Sequence, residues 1–141
     1  MSLLVVDASV VIKWFVPELH SERAGRLLAE PHDFLAPDLL FPEVGNVIWK
    51  KVRRGELTDD LGRRLVADLA TIAVETVSTR GLLREAHAIA VSVGVTVYDA
   101  MYVALAVRVD TQVVTADDRL ARAVAAHPML AAHVQRLQAS A

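Results

Sequence analysis

The chain has 141 residues, no cysteine, and 15 basic against 17 acidic side chains for a formal charge of −2. That length suits one domain, 1–141, whose folding buries roughly two thirds of the unfolded surface; the missing thiols exclude thiolate catalysis, zinc ribbons and disulfide scaffolds. The near-neutral charge excludes a protein that coats nucleic acid over its whole surface, so any nucleic-acid contact must be local.

The first apolar run, residues 3–16, is interrupted by Asp7 and Lys13 and is shorter than the roughly 20 residues of a bilayer span. No basic residue precedes it and Pro17-Glu18 is no small-residue cleavage site, so a cytoplasmic protein with no membrane contact is expected. Within that run, Leu3-Leu4-Val5-Val6 reads as a parallel strand buried on both faces, with Asp7 at its carboxyl end. Val10, Val11, Trp14 and Phe15 then recur at helical spacing until Pro17. Residues 21–30 look like a more polar helix, and 33–36, bracketed by Pro31 and Pro37, like a second strand. A helix over 39–53 carries Phe41, Val44, Val47 and Ile48 on apolar positions and is closed by Gly55. Thr58-Asp59-Asp60 suits the start of the next helix, with Leu61, Leu65, Leu69 and Ile72 one turn apart. A third strand over 74–77 precedes a helix opened by Ser78 or Thr79 and ended by Gly94. Residues 95–98 read as an extended apolar segment before a helix over 100–107, which is apolar all round and therefore central. Strand 112–115 leads to a helix started by Asp117 or Asp118; from His127 a final helix and a short strand near 134–137 both fit. Alternating strands and helices predict one parallel α/β domain.

Three acids share a context. Asp7, Asp99 and Asp117 each follow an apolar stretch and precede a helix, the place where α/β sheets present ligand-binding groups. Glu43 stands in the first turns of an apolar helix, with Asn46 one turn on. One carboxylate at such a junction is ordinarily a helix cap; four in one small fold call for another explanation. Gathered in a pocket of low dielectric they repel one another unless a cation joins them, and an oxygen-only donor set suits Mg²⁺ or Mn²⁺. Such a metal can activate water and clamp a phosphodiester, which is nuclease chemistry.

The blocks Val5-Val6-Asp7-Ala8-Ser9, Pro42-Glu43-Val44-Gly45-Asn46, Tyr98-Asp99-Ala100-Met101-Tyr102-Val103-Ala104-Leu105-Ala106 and Val114-Thr115-Ala116-Asp117-Asp118-Arg119-Leu120 resemble the successive motifs of PIN-domain ribonucleases, above all the VapC toxins of toxin–antitoxin modules. The resemblance spans nearly the whole chain in the right order. It implies a PIN-like fold, with a central parallel sheet flanked by helices in a three-layer sandwich. The implied activity is that of a Mg²⁺-dependent endoribonuclease, homodimeric and held inactive by a VapB-like antitoxin. Position by position it makes Asp7, Glu43, Asp99 and Asp117 the acidic site. Asp7, Asp99 and Asp117 hold Mg²⁺ directly or through water, Glu43 orients or deprotonates the attacking water, and Ser9, Asn46 and Thr115 orient these groups. Asp118 falls in a more variable slot.

Lys50, Lys51, Arg53 and Arg54, with Arg63 and Arg64 beyond, form the strong basic cluster. It reads as a solvated helix face or as a track for an RNA backbone. Trp14, Phe15, Phe41 and Trp49 read as core residues, with a groove for an antitoxin helix or a second copy as the alternative for some of them. A phosphatase of the haloacid dehalogenase type needs a second acid where Ser9 stands, and a phosphoacceptor receiver needs an acidic pair at the first strand. The remaining rival is a PIN-like RNA-binding or scaffold domain without activity.

Overall fold

Val5 and Val6 have no exposed surface because they lie at the centre of a five-stranded parallel sheet. The structure is a computed structural model describing residues 2–139. Its strands are β1 (Ser2–Val6), β2 (His32–Pro37), β3 (Val74–Val77), β4 (Val113–Thr115) and β5 (Val134–Arg136), ordered β3-β2-β1-β4-β5. Every neighbouring pair is parallel. Parallel pairs need crossovers, and helices supply them: α1 (Ala8–Val11), extended by a 3₁₀ turn over Ile12–Trp14, α2 (Ser21–Ala29), α3 (Leu40–Arg53), α4 (Asp59–Leu69), α5 (Thr79–Val93), α6 (Val97–Arg108) and α7 (Asp118–Ala125). Parallel strands buried by flanking helices are the expected α/β class. Burial on both faces holds only for the second half of β1, since Ser2 and Leu3 are exposed at the sheet's amino edge.

The strand order reverses at β1. The chain runs from β1 outward to β2 and β3, then returns to place β4 on the other flank of β1. Val5 pairs with Val113 and Val6 with Val114, so Asp7 and Thr115 emerge side by side where the two crossovers diverge. Open α/β sheets form their ligand crevices at such a point.

Helix α6 is the core's central rod. Residues Ala100, Met101, Tyr102, Val103, Ala104, Leu105 and Ala106 are all buried, and the helix touches β1, β2 and β4 as well as α5. Among the described residues no single helix is long and apolar enough to cross a membrane. The segment before α6 is not extended as the Val-Thr-Val pattern predicts. Gly94, at φ +83°, closes α5 in the left-handed region; Thr96 then accepts the Asp99 amide as N-cap, and the helix begins at Val97. Local capping outweighs the β preference of Val95, Thr96 and Val97. Between α3 and α4 the backbones approach closely: a Cβ on Gly62 would stand 2.6 Å from Val52 Cγ2. The last described residues form a short 3₁₀ turn, Ala131–His133, then β5 and a second 3₁₀ turn, Leu137–Ala139, rather than a final α-helix.

Candidate active site

Asp7 leaves β1 and caps α1, accepting the Val10 amide at 3.3 Å. The cap reading of this residue is therefore correct, and it does not exhaust the residue's surroundings. The Ser9 hydroxyl donates to Asp7 Oδ1 at 2.5 Å and accepts the Ala116 amide at 2.8 Å, bridging the ends of β1 and β4. Thr115, wholly buried, lies 3.3 Å from Ser9 and accepts the Asp117 amide. Asp117 caps α7, its Oδ1 taking the amides of Arg119 and Leu120. One continuous set of hydrogen bonds thus fixes Asp7 relative to Asp117.

Asp99 and Glu43 arrive by other routes. Asp99 occupies the first turn of α6, so a helix and not a strand carries it to the crevice. With Asp117 and Arg119 it lines a cavity of about 140 Å³ whose rim includes Gly94, Thr96 and Leu120. Glu43 sits in the first turn of α3, and its Oε1 accepts the Tyr102 hydroxyl at 2.5 Å.

Electrostatics tie the four acids together. Burial pushes the Asp7 carboxyl up to about 6, against the opposing hydrogen bonds of Ser9, Thr115 and Val10; the charge of Asp99 adds to the rise. Glu43 is also raised, by burial first and then by Asp99. Asp99 is raised by burial and by Asp117, with Thr96 and Arg119 opposing. Asp99 is thus the charge felt by both Asp7 and Glu43, and Asp117 is felt by Asp99. Mutual repulsion acts as the sequence predicts, but loss of solvation is the larger cause at all three raised acids.

The other expected positions divide. Ser9 and Thr115 hold the acids as described. Asn46 does not: it is exposed on α3. Asp118 turns away to Arg136 and Gln138, at 2.8 and 3.0 Å. Lys51 is drawn out of the basic face by Glu18 and Glu56, at 3.0 and 3.6 Å. Lys50, Arg53 and Arg54 remain exposed, and Arg53 stacks over Trp49 at 5.4 Å. Trp14, Phe15 and Phe41 pack against the core, whereas Trp49 is 53% exposed and lines, with Ile48, Val52 and Val66, a cavity of about 290 Å³ between α3 and α4.

Sequence reading missed Tyr102 and Arg119. Both carried a signal: Tyr102 is the one hydroxyl in the run 100–107 and stands three residues after Asp99, hence on the same helical face, and Arg119 is the cation two residues after Asp117.

Among the described residues no three His, Asp or Glu side chains are grouped closely enough to hold one ion by themselves. The donor chemistry nonetheless fits a hard cation. The groups are oxygen donors only, three of them carry raised pKa values with no ion-pair partner, and Mg²⁺ needs just one or two carboxylates when waters and phosphate complete its octahedron.

Comparison with known proteins gives a consistent picture. Residues 4–126 match the family model described as PIN domain. The chain is 40% identical over 120 residues, 84% of its length and 92% of the relative's, to "Ribonuclease VapC3" of Pyrobaculum aerophilum. Its fold is similar to the crystal structure of PAE2754 from the same organism, at TM-score 0.69 and 23% identity, covering 98% of this chain and 93% of that one. It is also similar to a chain of a toxin–antitoxin complex from Klebsiella pneumoniae, at TM-score 0.66 and 14% identity, covering 95% and 97%.

Proposed function

The chain belongs to the PIN-domain family, and from that premise we propose that it is a Mg²⁺-dependent endoribonuclease, the toxin of a VapBC-type module. One observation carries the reading. Asp7, Glu43, Asp99 and Asp117 come from four separate segments, the charge of Asp99 reaches Asp7 and Glu43 and that of Asp117 reaches Asp99, and Arg119 offsets the rise only at Asp99. A scaffold domain has no use for carboxylates kept at such a cost in solvation.

Asp7, Asp99 and Asp117 would hold the metal, in part through water. When bound, Mg²⁺ or Mn²⁺ supplies a Lewis acid that lowers the pKa of water and stabilises charge on the scissile phosphate. Ser9 and Thr115 fix Asp7 in place. Glu43 accepts a proton from the attacking water as its oxygen bonds phosphorus and the bond to one bridging oxygen breaks; that oxygen is protonated from solvent. Arg119, at the cavity rim, is placed to meet a phosphate. Lys50, Arg53 and Arg54 extend the contact along an RNA backbone, and Lys51 plays no part in it because Glu18 and Glu56 hold it. The partners in this reading are an RNA substrate, a VapB-like antitoxin and a second copy of the chain.

The test is incubation of purified protein with RNA in Mg²⁺, in chelator, and as Asp7→Asn in Mg²⁺. Cleavage in the first condition alone is expected. Binding without cleavage in all three would transfer the assignment to an RNA-binding domain without activity.

A further inference from the structure

Tyr102 is an odd choice for its place. It is 1% exposed, in a run of α6, residues 100–107, otherwise built of Ala, Val, Leu and Met, and a phenylalanine there would bury the same ring without a hydroxyl to satisfy. The hydroxyl does find a partner, and that partner is Glu43, 59 residues away on α3. No other side chain among the described residues hydrogen-bonds the Glu43 carboxylate. Tyr102 also stands one turn from Asp99 on α6, so a single helix face carries one acid and the group that grips another.

We propose that Tyr102 is a positioning residue of the nuclease site: its hydroxyl, donating at 2.5 Å to Glu43 Oε1, fixes the Glu43 carboxylate against α6 and leaves Oε2 as the oxygen that takes the proton of the attacking water. The inference rests on the nuclease reading and deepens it. The geometry supports this role over a packing role in two ways. The bond joins the elements that carry Glu43 and Asp99, so it sets the distance between two of the four acids. Burial of the phenol also keeps it protonated, as do the charges of Glu43, Asp7 and Asp99 around it, which together hold its pKa far above the usual tyrosine range. The hydroxyl is therefore a permanent donor and never a competing base.

A double-mutant cycle tests this. Tyr102→Phe removes the hydroxyl and keeps the ring; Glu43→Asp keeps the charge and withdraws it by one methylene from Tyr102's reach. Rates are measured in Mg²⁺ on the fastest-cut RNA from a pool of labelled single-stranded and hairpin oligonucleotides, and are normalised to the folded fraction from circular dichroism. Tyr102→Phe is expected to lower kcat about 10-fold with KM changed less than about 2-fold, the range of lost orienting groups. The double variant should be no slower than Glu43→Asp alone, because both changes break one bond. Losses that multiply, or a Tyr102→Phe enzyme with full kcat, overturn the positioning role. If Glu43→Asp keeps full kcat while Asp7→Asn is inactive, the positioning role falls and the nuclease reading stands. If the wild-type protein cuts no RNA, both fall.

Discussion

Two carboxylates in this molecule, one half-buried and one buried, are treated in opposite ways. Glu18, just beyond the 3₁₀ turn that follows α1, receives Lys51 at 3.0 Å and Lys13 at 3.1 Å. Burial alone would push its pKa up, but the hydrogen bonds and charges of the two lysines outweigh that and hold it below the usual glutamate range. Asp7, eleven residues upstream and 6% exposed, receives a serine, a threonine and a backbone amide, and its pKa is pushed up to about 6. The chain supplies two ammonium groups to one acid and none to the other. A carboxylate that serves structure is neutralised from within; one left without a cation under the charge of a further acid is, in the reading proposed above, the one that takes a cation from outside.

The largest way to sharpen that contrast is activity. Asp7→Asn or Asp99→Asn should lower RNA cleavage about 100-fold or more, whereas Glu18→Gln should leave the rate per folded molecule within about 2-fold. Equal losses from both substitutions, measured on folded-fraction-normalised samples, would abolish the distinction.

Acidity offers the next contrast, because the two groups contribute with opposite sign. Between the unfolded value of 3.8 and the folded value of about 6, the native state holds a proton on Asp7 that the unfolded chain has already released. Ionising Asp7 therefore costs the fold about 3 kcal/mol as pH rises through that window. In chelator, Asp7→Asn should gain on wild type by about that amount between roughly pH 4 and pH 7. Glu18 is lowered from 4.5, so its contribution is present above the unfolded value and is lost as pH falls through the folded one. Glu18→Gln should accordingly be most destabilising near neutrality. Denaturant midpoints across that range check both slopes, and parallel slopes would break the comparison.

Metal addition follows. Mg²⁺ at 100 times its Kd should raise wild-type stability by about 2.7 kcal/mol, with a much smaller rise in Asp99→Asn; in chelator that variant should melt no lower than wild type. An equal rise in both proteins would remove Asp99 from the proposed ligands. Glu18→Gln, stranding Lys13 and Lys51 with side chains 11% and 17% exposed, should cost about 1 to 2 kcal/mol whether or not Mg²⁺ is present. The smallest effect belongs to the exposed cations. Replacing Lys50, Arg53 and Arg54 by Gln should reduce the slope of log affinity against log salt for single-stranded RNA by about 2. Lys51→Gln should leave that slope unchanged and lower the melting point. A full slope in the triple variant would make these residues a solvated helix face.

The amino-acid order by itself determined the elements and most of the acids. Parallel strands announce themselves as a short unbroken apolar run at residues 3–6 and as the Val113-Val114 pair within 112–115, and Gly55, Thr58, Gly94 and Asp117 end or begin helices where capping chemistry requires. Asp7 and Asp117 were legible because each stands at a strand's carboxyl end, a position that local pattern marks. The route of Asp99 was misread, because Val95-Thr96-Val97 favours strands while the Thr96 cap favours a helix, and packing of α6 against the sheet settled that conflict. Which polar groups meet was decided by tertiary structure alone. Asn46 points to solvent though it shares a helix with Glu43, Lys51 is taken by Glu18, and Tyr102 finds Glu43 across 59 residues. Hydrogen bonds and ion pairs act over about 3 Å of space whatever the separation along the chain, so periodicity can place a side chain on a face but cannot name its partner.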